Sequence, residues 1–213
     1  MKFILLSLCF LTAFVANAQS KLFRNGTLKM KYEASPLFYL FNHSSTNKAG
    51  CPGWLLLNVT YDAANRKSNN RPMWLDDVTM ESEVIVPGSY KSKNVIIVLK
   101  GKTVFWSIPM DGKKHQAVGC IPPQVIARFA RKGNKIELQK VIARVTFYTA
   151  GRKILLRLYS SSNRRTKQYF SRIDGAVSAG VMKIEDVILP RTKTPWQEIN
   201  YELYDFIKAD PQK

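Results

Sequence analysis

Apolar and polar residues alternate along most of the chain, which is the pattern of strands that bury one face. Over residues 74–86, most even positions are apolar, whereas odd positions include aspartate, threonine and glutamate. Residues 54–61 alternate in the same way. Both segments therefore predict half-buried strands, with Trp74 on the apolar face of the first. Further strands are predicted over residues 28–32, 37–41, 95–99, 103–108, 136–148, 153–159 and 181–189.

Short segments that contain glycine separate several of these strands. Lys100-Gly101-Lys102 predicts a hairpin between residues 95–99 and 103–108. Thr149-Ala150-Gly151-Arg152 predicts a second hairpin. Within residues 136–148 the apolar positions change from even to odd near Gln139, which predicts a β-bulge there.

Two segments have the signals of helices. Pro122-Pro123-Gln124 begins a short apolar run and predicts a mid-chain helix with proline at its start. Thr194-Pro195-Trp196-Gln197 is typical of a capping box, and an apolar stripe follows it. We expect a C-terminal helix over about residues 195–208, docked on the protein's own sheet; binding of this stripe to a partner is the alternative. The stripe consists of Trp196, Ile199, Leu203, Phe206 and Ile207.

The strands follow one another without the regular strand–helix alternation of a parallel sheet. The fold class that this order predicts is all-β and mainly antiparallel. The most plausible architecture is an immunoglobulin-like β-sandwich with a short mid-chain helix and a C-terminal helix.

The first eighteen residues have the pattern of a secretory signal peptide. Lys2 precedes an apolar stretch over residues 3–15, and Ala16-Asn17-Ala18 places small residues where a signal peptidase reads them. The apolar stretch is too short to span roughly 30 Å of hydrocarbon as a membrane anchor. We therefore expect export, cleavage before Gln19, a single domain over residues 19–213 and no integral membrane span after cleavage.

Cleavage would leave two cysteines, Cys51 and Cys120. An even number of cysteines in an oxidising compartment predicts a disulfide between them. A metal site is the competing interpretation, but His43 and His115 do not have zinc-ligand spacing with these cysteines. No metal ligand set is predicted.

The chain is strongly basic, with a net charge of +18. One of its 33 basic residues and none of its 15 acidic residues lies in the signal peptide, so the mature charge is +17. Such a charge favours polyanions as partners. Thirteen basic residues and one acidic residue lie between Arg128 and Arg172, and several occupy a predicted loop over residues 160–168.

Basic residues interleaved with tyrosine fit a nucleic-acid or acidic-polysaccharide surface. A solvated outer face of two strands is the alternative interpretation of the same residues. The candidate binding residues are Arg157, Arg164, Arg165, Lys167, Tyr169 and Arg172.

Catalytic motifs are scarce. Asp111 and His115 are close in sequence, but no serine lies in a GxSxG context and no P-loop, GxGxxG or HExxH sequence occurs. The pairing of Asp111 with His115 is best explained as chance. We expect a protein without catalytic residues and without a cofactor.

Several segments together resemble a family of exported bacterial pilus-like proteins that are encoded in type IV pilus loci. The similarity runs from Trp74-Leu75-Asp76-Asp77-Val78 through Lys113–Val118 and Ile121-Pro122-Pro123 to Thr194-Pro195-Trp196 and its aromatic tail. The resemblance implies an immunoglobulin-like fold and a periplasmic or outer-membrane-associated accessory of a pilus, without known catalysis. Cys51 lies outside the similar region, so the disulfide receives no support from the family.

These observations predict a non-catalytic envelope protein, an accessory or structural component associated with a type IV pilus system. Its expected partners are envelope or pilus-assembly proteins. The alternative is a secreted protein that binds nucleic acid or acidic polysaccharide through residues 128–172.

Overall fold

The computed structural model describes residues 22–35, 53–90, 93–129, 138–149, 151, 153–161, 164–175, 181–197, 204–205 and 207–208. The predicted signal peptide, residues 1–18, lies outside them. Within the described residues the strands are β1 (Phe23–Glu33), β2 (Trp54–Ala63), β3 (Lys67–Ser68), β4 (Arg71–Tyr90), β5 (Lys93–Met110), β6 (Lys114–Ile121), β7 (Ile142–Tyr148), β8 (Ile154–Tyr159), β9 (Val181–Ile184) and β10 (Leu189–Pro190). The helices are α1 (Pro123–Phe129) and α2 (Arg164–Gly175), with 3-10 turns at Leu138–Lys140 and Arg191–Lys193.

The strands form two sheets that face each other. The first sheet has the order β1-β2-β6-β10, and the second has the order β8-β7-β4-β5-β9, with β3 paired to β4. All pairings are antiparallel except that of β9 with β5. The predicted all-β, mainly antiparallel, sandwich-like fold is confirmed. The finer immunoglobulin-like topology stays a prediction.

The core between the sheets follows the alternation in the sequence. Leu55, Leu57 and Val59 of β2 are buried, as are Val78 and Met80 of β4. Burial of each such side chain contributes about 1.5–3 kcal/mol relative to exposure. The largest buried rings, those of Phe23, Tyr61 and Phe147, pack together in this core.

The predicted hairpin at residues 100–102 is wrong, because β5 runs through it without a turn. Gly101 lies opposite Ser82 in the β4–β5 ladder. A Cβ atom at Gly101 would overlap the backbone carbonyl of Ile188. Glycine is therefore required for a close approach of two backbones, which a local sequence pattern does not distinguish from a turn.

The predicted bulge near Gln139 is also wrong. Residues 138–140 form a 3-10 turn, and β7 begins only at Ile142. The second predicted hairpin is confirmed: the Thr149 amide donates to the Lys153 carbonyl over 3.1 Å, and Gly151 adopts a φ of +85°. The predicted strand over residues 37–41 lies outside the described residues.

The mid-chain helix is confirmed as α1, whereas the predicted basic loop over residues 160–168 is corrected. Helix α2 begins at Arg164, and its Phe170 and Ile173 pack with Ile85 and Val98 in a separate apolar cluster. The high density of basic residues concealed this apolar face. The helix is held where the strands supply an apolar surface, which its own composition does not reveal.

The predicted C-terminal helix is wrong over its last residues. Tyr204 forms a parallel bridge with Gln116 of β6, and Ile207 forms an antiparallel bridge with Phe105 of β5. Backbone groups at the edges of both sheets need partners there, and the chain end supplies them. Residues 195–197 form a turn, and residues 198–203 and 206 lie outside the described part.

Trp196 docks on the protein itself, as expected. Its ring meets that of Trp54 edge-on at 5.4 Å, beside Leu56, Val118 and Cys120.

Among the described residues, no helix combines the length and the apolar character that crossing a bilayer requires.

Candidate binding surface

An aromatic surface lies near one end of the long β4–β5 hairpin. Trp74 is 59 % exposed, Trp106 is 63 % exposed and Met73 is 44 % exposed. Large apolar side chains are normally buried, and a group of exposed ones on a regular sheet indicates an interaction site. We call Trp74 and Trp106, with the neighbouring Asp76 and Asp77, the aromatic face.

The prediction that Trp74 belongs to the buried side of its strand is wrong, and the backbone explains why. Asp77 has a φ of +52°. Val78 is fully buried, whereas Asp76 and Trp74 are exposed, although all three have the same parity. The left-handed residue thus interrupts the alternation, and Trp74 is exposed to solvent.

The opposite strand changes phase at the same level. Phe105 is buried at an odd position, and Ile108 is buried at an even one. Trp106 and Ser107 lie between these two core residues and are, respectively, exposed and half-buried. The paired irregularities place two tryptophans and two aspartates on one rigid ladder.

Polar contacts order this surface. The Ser107 hydroxyl donates to Asp76 Oδ1 over 2.7 Å. Lys208 places its ammonium 3.1 Å from Asp77 Oδ1 and 5.0 Å from the centre of the Trp106 ring. The Lys208 amide donates to the Val104 carbonyl over 2.7 Å, which fixes the backbone that carries this cation. Within the described ranges, no ring or cation contacts the Trp74 indole.

A buried polar network anchors the chain end close by. His115 Nδ1 lies 2.8 Å from Asp205 Oδ1, and His115 Nε2 lies 3.1 Å from Asp111 Oδ1. The Tyr61 hydroxyl donates to Asp205 Oδ2 over 2.6 Å, and the Tyr61 ring stacks on the imidazole. Asp111 and His115 therefore do meet, with His115 in β6, and their closeness in sequence is not chance alone.

Electrostatics in this network favour a charged histidine. Burial alone would lower the pKa of His115, but the hydrogen bonds and charges of Asp205 and then Asp111 raise it above its usual range. Burial, and then the charge of Asp205, raises the pKa of Tyr61 well above its ordinary value. Because a carboxylate occupies each ring nitrogen, neither nitrogen is placed to take a proton from a nucleophile.

The predicted basic site is only partly described. Arg157 is exposed on β8 and Lys167 is exposed on α2, where its ammonium lies 5.9 Å from the Tyr159 ring. Tyr169 packs against the apolar cluster under α2, so part of its ring is covered. The side chains of Arg164, Arg165 and Arg172 lie outside the described part of the structure.

Arg144, one of the basic residues between Arg128 and Arg172, is buried, so it belongs neither to a solvated strand face nor to an exposed binding surface. Its guanidinium donates to both oxygens of Asp174 over 2.5 and 2.8 Å and pairs with Glu83. It also lies 4.5 Å from the centre of the Phe170 ring. Arg144 therefore attaches helix α2 to the second sheet and is not available to a polyanion.

Cys120 lies in the apolar cluster beneath Trp196, and burial raises the pKa of its thiol to about 12. Cys51 lies outside the described residues, so the Cys51–Cys120 disulfide stays a prediction. The part of the chain that the structure describes contains no group of three or more side chains placed to hold a metal ion.

A protein-family model matches residues 15–211 of the chain. The chain belongs to that family. A crystal structure of a protein from Akkermansia muciniphila is similar to this chain, with a TM-score of 0.63 and 15 % identity. The match covers 88 % of this chain and 92 % of that one. At this identity the likeness shows the fold alone.

A second crystal structure, of the sporulation control protein Spo0M from Bacillus subtilis, matches with a TM-score of 0.30 and 8 % identity. This match covers 70 % of this chain and 55 % of the Spo0M chain. The comparison with curated proteins gives no match.

The sequence patterns did not mark Trp106, Lys208 and Asp205 as candidate site residues. Trp106 alternates as a strand residue should, and no signal in the sequence marks it as exposed. Lys208 and Asp205 lie in a segment that was predicted as a helix. Lys208 lies 102 positions from Trp106 along the chain, and Asp205 lies 90 positions from His115.

Proposed function

We propose that this chain is a non-catalytic cell-envelope protein, an accessory or structural component of a type IV pilus system that acts by binding another envelope protein. The match of a family model to residues 15–211 supports the resemblance seen in the sequence. The observation that carries the proposal is the aromatic face, where two tryptophan side chains are exposed at an irregularity of the β4–β5 ladder.

The aromatic face has the chemistry of a protein-binding site. Tryptophan is enriched among the residues that dominate binding energies, because one side chain buries a large area with few rotatable bonds. The long β4–β5 ladder holds both tryptophans without the flexibility of a loop. A partner would therefore lose little binding energy to ordering this surface.

The histidine network supports a non-catalytic role. Of the two histidines in the sequence, the structure describes His115, and both of its ring nitrogens face carboxylates. These contacts attach the chain end to the sandwich, so the group is explained by stability alone.

Capture from envelope extracts tests the binding role. Tagged protein should be cross-linked in living cells of the source bacterium and its partners identified. We expect pilus-assembly components to be enriched with the natural chain and depleted for a Trp74→Ala, Trp106→Ala double variant. Ile154→Ala removes another exposed apolar side chain, 47 % exposed on β8, and serves as the matched control. Unchanged capture by the double variant would remove the aromatic face from the proposal.

Deletion of the gene tests the pilus association independently. We expect fewer or altered pili, restored by the natural chain. Normal piliation together with no enrichment of pilus components would contradict the proposed function.

Export to the periplasm or the outer membrane is part of the same proposal. The mature protein should fractionate with the envelope and have the intact mass of a chain that begins at Gln19. Retention of residues 1–18 in the fractionated protein would exclude the predicted cleavage.

A further inference from the structure

We propose that Trp74 and Asp76 together receive an arginine or lysine side chain of the partner protein, in the way that Trp106 and Asp77 hold Lys208. The inference rests on the proposed function only for the identity of the partner. The chemistry of the site follows from the chain itself.

The chain contains an occupied example of such a site. The Lys208 ammonium lies 3.1 Å from a carboxylate oxygen of Asp77 and 5.0 Å from the centre of the Trp106 ring. The cation is therefore shared between a negative carboxylate and the negative face of an indole. Asp77 and Trp106 lie between the paired positions Asp76–Ser107 and Val78–Phe105, where both strands change phase.

Trp74 and Asp76 offer the same two groups a short distance away. They are two positions apart on β4 and both are exposed, so their side chains stand about 7 Å apart on one face. Ser107 binds Asp76 Oδ1 and orients the carboxylate, which leaves the lone pairs of Oδ2 toward solvent. Among the described residues, the Trp74 ring has neither an aromatic nor a cationic neighbour.

Charge selects a cation over the other ligands that stack on tryptophan. Because Lys208 balances the charge of Asp77, this surface keeps one net negative charge, that of Asp76, on a chain of net charge +18. An anionic group would meet the Asp76 carboxylate, and a neutral apolar group would leave it desolvated and unpaired. Arginine fits best, because its guanidinium is weakly hydrated, binds carboxylates through two N–H groups and stacks on aromatic faces.

The overall positive charge sets the conditions under which the site works. Long-range repulsion of a basic partner is screened beyond about 8 Å at physiological ionic strength. The local carboxylate and indole then dominate. A single guanidinium on an exposed carboxylate and ring should contribute about a tenfold gain in affinity within a larger interface.

The test uses the isolated protein and the indole N–H resonance of Trp74, which a Trp74→Phe variant assigns. Titration with N-acetyl-arginine amide should shift this resonance progressively when the ionic strength is held constant, because a contribution of about tenfold corresponds to weak binding of the free ligand. N-acetyl-citrulline amide, which has nearly the same shape without the charge, should shift it at least severalfold less. Asp76→Asn should weaken the arginine response by about two- to fivefold, since the amide oxygen can still accept from Ser107 and the Trp74 ring remains, but the charge is lost.

Glu185→Gln is the matched control, because it makes the same change in net charge at another exposed site. It should leave the arginine titration unchanged. Equal responses to arginine and citrulline, or an Asp76→Asn response equal to that of Glu185→Gln, would overturn the proposal. A response to a neutral oligosaccharide but not to arginine would overturn it in favour of a glycan site.

The outcomes separate the inference from the proposed function. If arginine binds as expected but no pilus component is captured, the cation site stands and the pilus association fails. If pilus components are captured through the aromatic face while arginine has no effect, the proposed function stands and the cation site fails. With a captured partner in hand, Asp76→Asn should weaken its binding about two- to fivefold and Glu185→Gln should not.

Discussion

The His115 network predicts a stability that falls as the pH rises from about 6.5 toward 9. The pKa of His115 is raised in the folded chain, so folding favours the imidazolium. Its contribution is complete below the unfolded pKa of about 6.5 and is lost as the pH rises through the higher folded pKa. On the acid side, Asp111 has a lowered pKa, so its contribution is present above about 4 and is lost as the pH falls through the folded value.

Asp205→Asn is the sharpest perturbation of this network. The carboxylate accepts from Tyr61 on one oxygen and contacts His115 on the other, and its side chain is only 6 % exposed. Removing one partner of a buried charged pair costs about 3–5 kcal/mol. For a chain of this size, each kcal/mol lowers Tm by roughly 2–4 °C, so we expect a fall of about 6–20 °C.

Urea unfolding, followed by tryptophan fluorescence at a series of pH values between 5 and 9, measures the free energy of unfolding. It gives both the loss of stability in Asp205→Asn and the pH dependence of stability in the natural chain. Disulfide status is kept constant, and pH values above 9 are avoided because Tyr61 also has a raised pKa. His115→Gln supplies the control: it should be less stable near pH 6, and it should lose the decline in stability between pH 6.5 and 9. Parallel pH profiles for the natural chain and His115→Gln would refute the assignment of a charged histidine.

Three further predictions follow from packing and charge. Gly101→Ala should destabilise the fold by about 1–3 kcal/mol, because its Cβ would overlap a backbone carbonyl, whereas Gly175→Ala, which meets nothing within 4 Å, should be near neutral in the same urea titration. Arg144→Leu should destabilise the fold by about 1–3 kcal/mol, because the half-buried Glu83 carboxylate loses its partner and the more exposed Asp174 carboxylate can turn to water, and an unfolding midpoint equal to that of the natural chain would contradict this. If the basic surface binds single-stranded DNA, replacing Arg157 and Lys167 with serine should reduce the log–log salt slope by about 1.4, and an unchanged slope would mean that neither residue contacts a phosphate.

Much of the β architecture could be predicted from local patterns. The buried positions of β2 and the central part of β4 follow from a side-chain period of two, which each strand carries in its own sequence. The β7–β8 hairpin and helix α1 were also predictable, because glycine and proline restrict the backbone at the positions where they occur.

The candidate site could not be predicted in the same way. The exposure of Trp74 depends on the left-handed conformation of Asp77, which the sequence permits but does not impose. The role of Lys208 depends on Tyr204 and Ile207 forming bridges to β6 and β5 instead of lying in a helix. In each case a partner distant along the chain changes which local conformation has the lowest free energy.

The sequence by itself determined that the chain is built from half-buried strands, that its apolar residues suffice for one core and that it carries a large positive charge. The tertiary structure alone decided that Lys100-Gly101-Lys102 continues strand β5 without a turn. It also decided that helix α2 packs on the second sheet and that Arg144 is buried beneath this helix. The physical reason is the range of the interactions. Side-chain alternation and proline act over a few residues, whereas burial, close backbone approach and ion pairing depend on segments that only the folded chain brings together.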